Sequence, residues 1–151
     1  MTDTQTPTVP ALVLRRTYNA SRERVFAAWT QPEIAARFMG PGDVKATDIR
    51  MDVRAGGAYS ITMLRPDGEA LIARGTYREV LPPERLSMTW TWQEDEPGQE
   101  HETLLTLEFN ERGGQTELVL THAQLASVDS RDRHEHGWTL IVDQLTDLVG
   151  R

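Results

Sequence analysis

The sequence predicts an α+β fold: a curved antiparallel sheet of about six to seven strands around one long C-terminal helix, with two short helices after the first strand. Three observations carry this. Between Arg131 and Val149 the apolar residues Trp138, Ile141, Val142, Leu145, Leu148 and Val149 recur at threes and fours. At about 100° per residue they share an arc of roughly 120°, with Asp143 and Asp147 opposite. From Val44 to His122 the apolar period is two, interrupted by hairpin-length turns. Consecutive hairpins make a meander that can leave one face to water and must cover the other, and the long helix is the natural cover.

Taken in order, Met1 to Pro10 is rich in Thr, Gln and Pro and reads as a flexible leader, so a single domain is expected over 11–151. Leu12, Leu14 and Tyr18 alternate with Val13, Arg15 and Thr17 as a first strand with one face better buried than the other. Ser21 suits an N-cap, with Glu23 in the positive first turn of a helix whose apolar face is Val25, Phe26 and Trp29. Pro32 starts a second short helix, expected to run to Phe38 and to stop at Gly40-Pro41-Gly42. Ile49, Met51 and Val53, then Tyr59, Ile61 and Met63, form two strands about the Ala55-Gly56-Gly57 turn. Pro66-Asp67-Gly68 turns into a long strand, Ala70 to Leu81, where Gly75 marks a bulge or a close backbone approach. Leu86, Met88, Trp90 and Trp92 alternate strictly with Ser87, Thr89 and Thr91, whose hydroxyl face is expected outside. Glu94 to Glu102 is an acidic loop. Leu105, Leu107 and Phe109, the Gly113-Gly114 turn, and Leu118, Leu120 and His122 complete the sheet.

With 151 residues the chain suits one domain, and 38% hydrophobic with 26% charged residues is an ordinary globular balance. A net charge of −7 argues against nucleic acid as a partner, because counterion release needs a basic surface. The helix pair after the first strand has no basic recognition face, which argues against a DNA-reading helix-turn-helix. No window approaches the ~18 apolar residues of a membrane span, and a cytoplasmic location is the expectation. The absence of cysteine removes thiol chemistry and thiolate metal sites. His134 and His136 lie about 200° apart on a helix and cannot share one ion, so neither a metal nor a cofactor is expected.

The runs Ala28-Trp29-Thr30-Gln31-Pro32-Glu33 and Arg37-Phe38-Met39-Gly40-Pro41 resemble the signature of the activator-of-heat-shock-ATPase-like branch of the START-like (SRPBCC) superfamily. So do Arg54-Ala55-Gly56-Gly57, Asp67-Gly68, Gly75-Thr76-Tyr77, Pro82-Pro83-Glu84-Arg85-Leu86, Thr116-Glu117-Leu118, and Gly137-Trp138 with Leu145. The family usually shows tryptophan where Phe38 stands, and proline is common at Ala55. The resemblance implies a helix-grip fold, in which the sheet wraps the last helix around a deep apolar cavity. It implies no single activity: relatives bind lipids, sterols, polyketides or hormones, some are cyclases or aromatases, and one branch is a chaperone cofactor.

Two polar groups on the buried helix arc, His134 and Arg131, mark the first candidate site. His122 shares strand parity with Leu118 and Leu120 and is expected to face the same interior. Imidazoles and flat indoles from Trp90 and Trp138 can converge on a small apolar or amphipathic ligand. Tyr59, Met63, Tyr77 and Met88 supply the adaptable lining of such a pocket. Each residue also has a plainer reading: satisfied core histidines, structural tryptophans and ordinary core. An enzyme of the cyclase, aromatase or hydrolase kind would use His122 or His134 as acid or base. A chaperone-docking module is the third class, and Leu140, opposite the buried arc, is available for a homodimer contact. The sequence leaves turnover undecided and favours binding over catalysis.

Overall fold

The computed structural model describes residues 10–94 and 98–150. The leader expected over residues 1–10 therefore lies, apart from Pro10, outside the described residues. The strands are β1 (Leu12–Tyr18), β2 (Lys45–Met51), β3 (Ala58–Leu64), β4 (Ala70–Leu81), β5 (Arg85–Trp92), β6 (Thr103–Arg112) and β7 (Gln115–Ala123). Helices α1 (Arg22–Thr30) and α2 (Pro32–Ala35) follow β1, and α3 (Val128–Val149) ends the domain. The strands form one sheet in the order β1-β7-β6-β5-β4-β3-β2, with every adjacent pair antiparallel. This is the helix-grip fold: a curled half-barrel with α3 held in its concave side.

Local chemistry explains where the elements begin and bend. The Ser21 side chain accepts from Arg24 N at 3.2 Å and caps α1. Gly113 and Gly114 both take positive φ, 58° and 87°, as a two-residue hairpin turn requires. A Cβ on Gly75 would lie 2.1 Å from the Thr89 carbonyl oxygen, so only glycine lets β4 close onto β5 there. Beside it Thr76 N donates to Thr89 Oγ1 at 2.9 Å, the Tyr59 hydroxyl donates to the Thr89 carbonyl, and the register slips between Tyr77 and Glu79. The sheet curls at this point.

Two expectations are corrected and a third is sharpened. The second helix ends at Ala35 rather than Phe38, because Arg37 N and Phe38 N bond to the carbonyls three residues back, Ile34 and Ala35, and tighten the chain into a turn. The last helix starts at Val128, since Ser127 accepts from Ser130 N at 3.0 Å and caps a turn before Arg131. Ser87, Thr89 and Thr91 stand on the outer face as expected, yet they are buried there. They sit on a central strand, and the Glu79–Arg85–Glu108 ion pairs run across β4, β5 and β6 on this side.

α3 is fastened along its C-terminal half. Its buried face carries Trp138, Ile141, Val142, Leu145 and Val149. The Tyr18 hydroxyl donates to Val142 O at 2.8 Å and Arg24 Nη2 donates to Leu148 O at 2.9 Å. The Gln144 amide holds the loop after α2: its Nε2 donates to Phe38 O at 2.9 Å and Gly40 O at 2.8 Å, and its Oε1 accepts from Gly42 N at 2.9 Å. The N-terminal half is joined to the sheet through two side-chain bonds, Trp92 Nε1 to His134 Nε2 at 2.9 Å and Trp138 Nε1 to His122 Nδ1 at 3.0 Å.

Gln144→Met keeps the side-chain length and removes all three bonds, leaving partly buried carbonyls unpaired. Urea unfolding should show a loss of about 2 kcal/mol, since each neutral bond contributes about 0.5–1.5 kcal/mol. An unchanged midpoint would mean that the loop is held by packing alone.

Candidate functional site

Where the N-terminal half of α3 passes the β3–β4 end of the sheet, the two elements enclose a cleft of about 590 Å³. Met63, Leu71, Ile72, Trp90, Trp138 and Ile141 are its apolar wall. Arg65, Glu94, Gln99, His101 and Arg133 are polar residues of the same lining. A second space, about 20 Å³, lies deeper and is bounded by Trp29, Tyr59, Tyr77, Met88 and Trp90 among others. Trp90 belongs to both walls and separates them.

Behind the cleft runs a chain of hydrogen bonds whose direction is fixed by chemistry. An indole N–H can only donate, so Trp138 Nε1, 3.0 Å from His122 Nδ1, makes that nitrogen an acceptor. The His122 proton therefore sits on Nε2 and is donated to Thr103 Oγ1 at 2.7 Å, and the Thr103 hydroxyl passes its own proton to Trp90 O at 2.6 Å. On the cleft wall, Trp92 Nε1 donates to His134 Nε2 at 2.9 Å. His134 must then carry its proton on Nδ1, which donates to Ser130 O at 2.7 Å. The two imidazoles meet edge to face with centroids 4.8 Å apart, in opposite tautomers.

Both are held neutral. Burial, with a smaller contribution from charge on His134, lowers His122 from 6.5 to about 3. Burial also lowers His134; the Ser130 carbonyl opposes this and Arg133 adds to it. Neither imidazole has a free lone pair, because an indole occupies each. Among the described residues no group of three His, Asp or Glu side chains could hold a metal ion, and no helix is long and apolar enough to cross a membrane.

A family model described as "Activator of Hsp90 ATPase homolog 1-like protein" matches residues 19–150. The chain belongs to that family. The fold has the same company: a protein from Chromobacterium violaceum superposes with TM-score 0.83 at 25% identity, covering 93% of this chain and 97% of its own. The AHSA1 protein from Silicibacter pomeroyi gives 0.81 at 25% identity over 91% and 96%. A protein from Arthrobacter aurescens solved by NMR gives 0.84 at 17% identity over 97% and 89%. No curated protein matches the chain.

Within this family member the candidate residues separate into groups. Met63, Trp90, His134 and Trp138 stand on the cleft wall. Tyr59, Tyr77 and Met88 line the inner space, where Tyr59 and Tyr77 pack at 5.4 Å between centroids. His122 is fully buried behind Trp138 and borders neither space. Arg131 also lies outside both and pairs with Asp132 at 3.1 Å. The helical period explains Arg131: Ser130, Arg133 and Gly137 flank one shoulder of the buried arc, facing the cleft, and Arg131 falls on the other shoulder with Val142 and Val149. Trp92, which the sequence reading did not place in the site, shares the strand parity of Trp90 and faces the same cleft. Arg65, Leu71 and Ile72 carry no comparable signal.

The neutral imidazoles give stability a pH dependence with a definite sign. The unfolded chain protonates His122 near 6.5, whereas the folded chain keeps it neutral to about 3. The unfolded state thus binds more protons in that window, and stability falls as pH drops below about 6.5, by about 1.4 kcal/mol per pH unit for this group. Urea titrations near pH 7 and pH 5 should differ by roughly 2 kcal/mol or more. Equal stability at both would contradict the buried neutral network.

Proposed function

We propose that this protein binds a small apolar or amphipathic molecule in the cleft between the curved sheet and the N-terminal half of α3, without a cofactor. The observation that supports the reading is the cleft itself: about 590 Å³, with indoles and branched aliphatics on its wall and arginines, Glu94 and His101 also in its lining. Ligand sites typically have about 300–1,000 Å³ and this division between apolar lining and few polar handles. The placement of α3 supports it too, because its C-terminal half seals the core while its N-terminal half, joined to the sheet through His134 and Trp138, borders the cleft.

Acid–base turnover at His122 or His134 has weaker support. A general base needs a lone pair within reach of substrate, and both are engaged by indoles in the fold as it stands. The chaperone-partner reading rests on the family description alone.

Gly137 separates binding from stability. It lies within α3 on the cleft, and a Cβ built there meets only Pro41 Cγ, at 4.0 Å. Gly137→Leu should therefore stabilise the helix by up to about 1 kcal/mol, raising Tm by about 2–4 °C, while its side chain intrudes into the cleft. With N-phenyl-1-naphthylamine as fluorescent probe, the wild-type protein should bind and the variant should bind at least tenfold more weakly, a loss of about 1.4 kcal/mol. Equal binding by the two proteins would remove the cleft as the site.

A further inference from the structure

Two buried indole nitrogens, Trp29 Nε1 and Trp90 Nε1, have no hydrogen-bond partner among the described residues. The other two tryptophans are satisfied by His122 and His134. Buried donors in native proteins are rarely left unpaired, and each such group calls for an explanation. Both rings lie on the wall of the inner space of about 20 Å³, which is large enough for one water-sized group and too small for a ring. No acceptor among the described residues bonds either indole. Two unpaired donors thus border one small space, and Trp90 stands between that space and the cleft.

Building on the ligand-binding reading above, we propose that the inner space is an acceptor subsite. The ligand class is a flat apolar molecule whose buried end carries a lone-pair oxygen or nitrogen without a hydrogen, such as a ketone, quinone or lactone. Its body fills the cleft against Trp90 and Trp138. Its acceptor atom passes Trp90 and takes the indole N–H of Trp90 or Trp29. A site built on unpaired buried donors discriminates against an analogue of equal shape that lacks the acceptor, because the donor then stays unpaired.

The test uses two probes of equal heavy-atom number, 2-acetylnaphthalene and 2-isopropylnaphthalene, on protein carrying ¹⁵N-labelled indoles. Trp92 and Trp138, already bonded, are internal references. The ketone should move the Trp90 or Trp29 indole proton downfield and the hydrocarbon should not. The ketone-to-hydrocarbon affinity ratio should fall about tenfold in Trp90→Phe or Trp29→Phe, a comparison that cancels the difference in hydrophobicity between the probes. The wild-type spectra stand as a readout whether or not either variant folds. Indole protons of Trp29 and Trp90 that are downfield already and unmoved by ketone would assign the donors to a resident water and overturn the proposal. Binding of both probes with no shift, or with shifts confined to Trp92 and Trp138, would overturn it while leaving the cleft as a binding site. Binding of neither probe would remove both readings.

Discussion

An indole N–H can give a hydrogen bond and cannot receive one, and the interior of this domain is ordered by that one-way property. Trp138 makes His122 an acceptor at Nδ1, which sends the His122 proton to Thr103 and the Thr103 proton to the backbone of Trp90. The chain joins α3 to β7, β6 and β5 in one direction. Trp92 does the same to His134 across the cleft wall. Protonating either imidazole would set N–H against N–H, so burial and hydrogen bonding act together to keep both neutral.

The rest of the architecture supplies the frame for this network. Gly75 allows the backbones of β4 and β5 to approach closely, and Tyr59, Tyr77, Met88 and Trp90 gather with Trp29 and Met39 around the inner space. Gln144, Tyr18 and Arg24 then fix the C-terminal half of α3 by backbone carbonyls, where sequence-local forces could not. A half that seals the core and a half that borders the cleft, on one helix, explain why a well-filled core and a large cleft coexist in a chain of this size.

Much of the fold was legible because it rests on period and punctuation. Strand alternation, the Gly113-Gly114 turn, the Ser21 cap and the apolar arc of α3 are local signals, and each corresponds to an element of the structure. The site was legible in part. Met63, Trp90, His134 and Trp138 face the cleft because parity and helical angle dictate facing. Parity does not dictate distance: Tyr59, Tyr77 and Met88 face inward, yet aromatic packing closes the space around them to about 20 Å³. Arg131 and His122 show the same limit. Which shoulder of α3 borders the cleft depends on where the helix axis lies over the sheet, and the His122 ring lies behind Trp138, packing facts that no local pattern encodes. The hydroxyls of Ser87, Thr89 and Thr91 are buried for a similar reason, since β5 is central in a sheet whose outer face is itself crossed by ion pairs.

If the cleft is a binding site, it has an occupant in the cell. Native mass spectrometry of the protein purified from its own cells should show a bound small molecule that persists under native conditions and is released on denaturation. A bare polypeptide mass in every gently prepared sample, with no small molecule recovered on extraction, would contradict it.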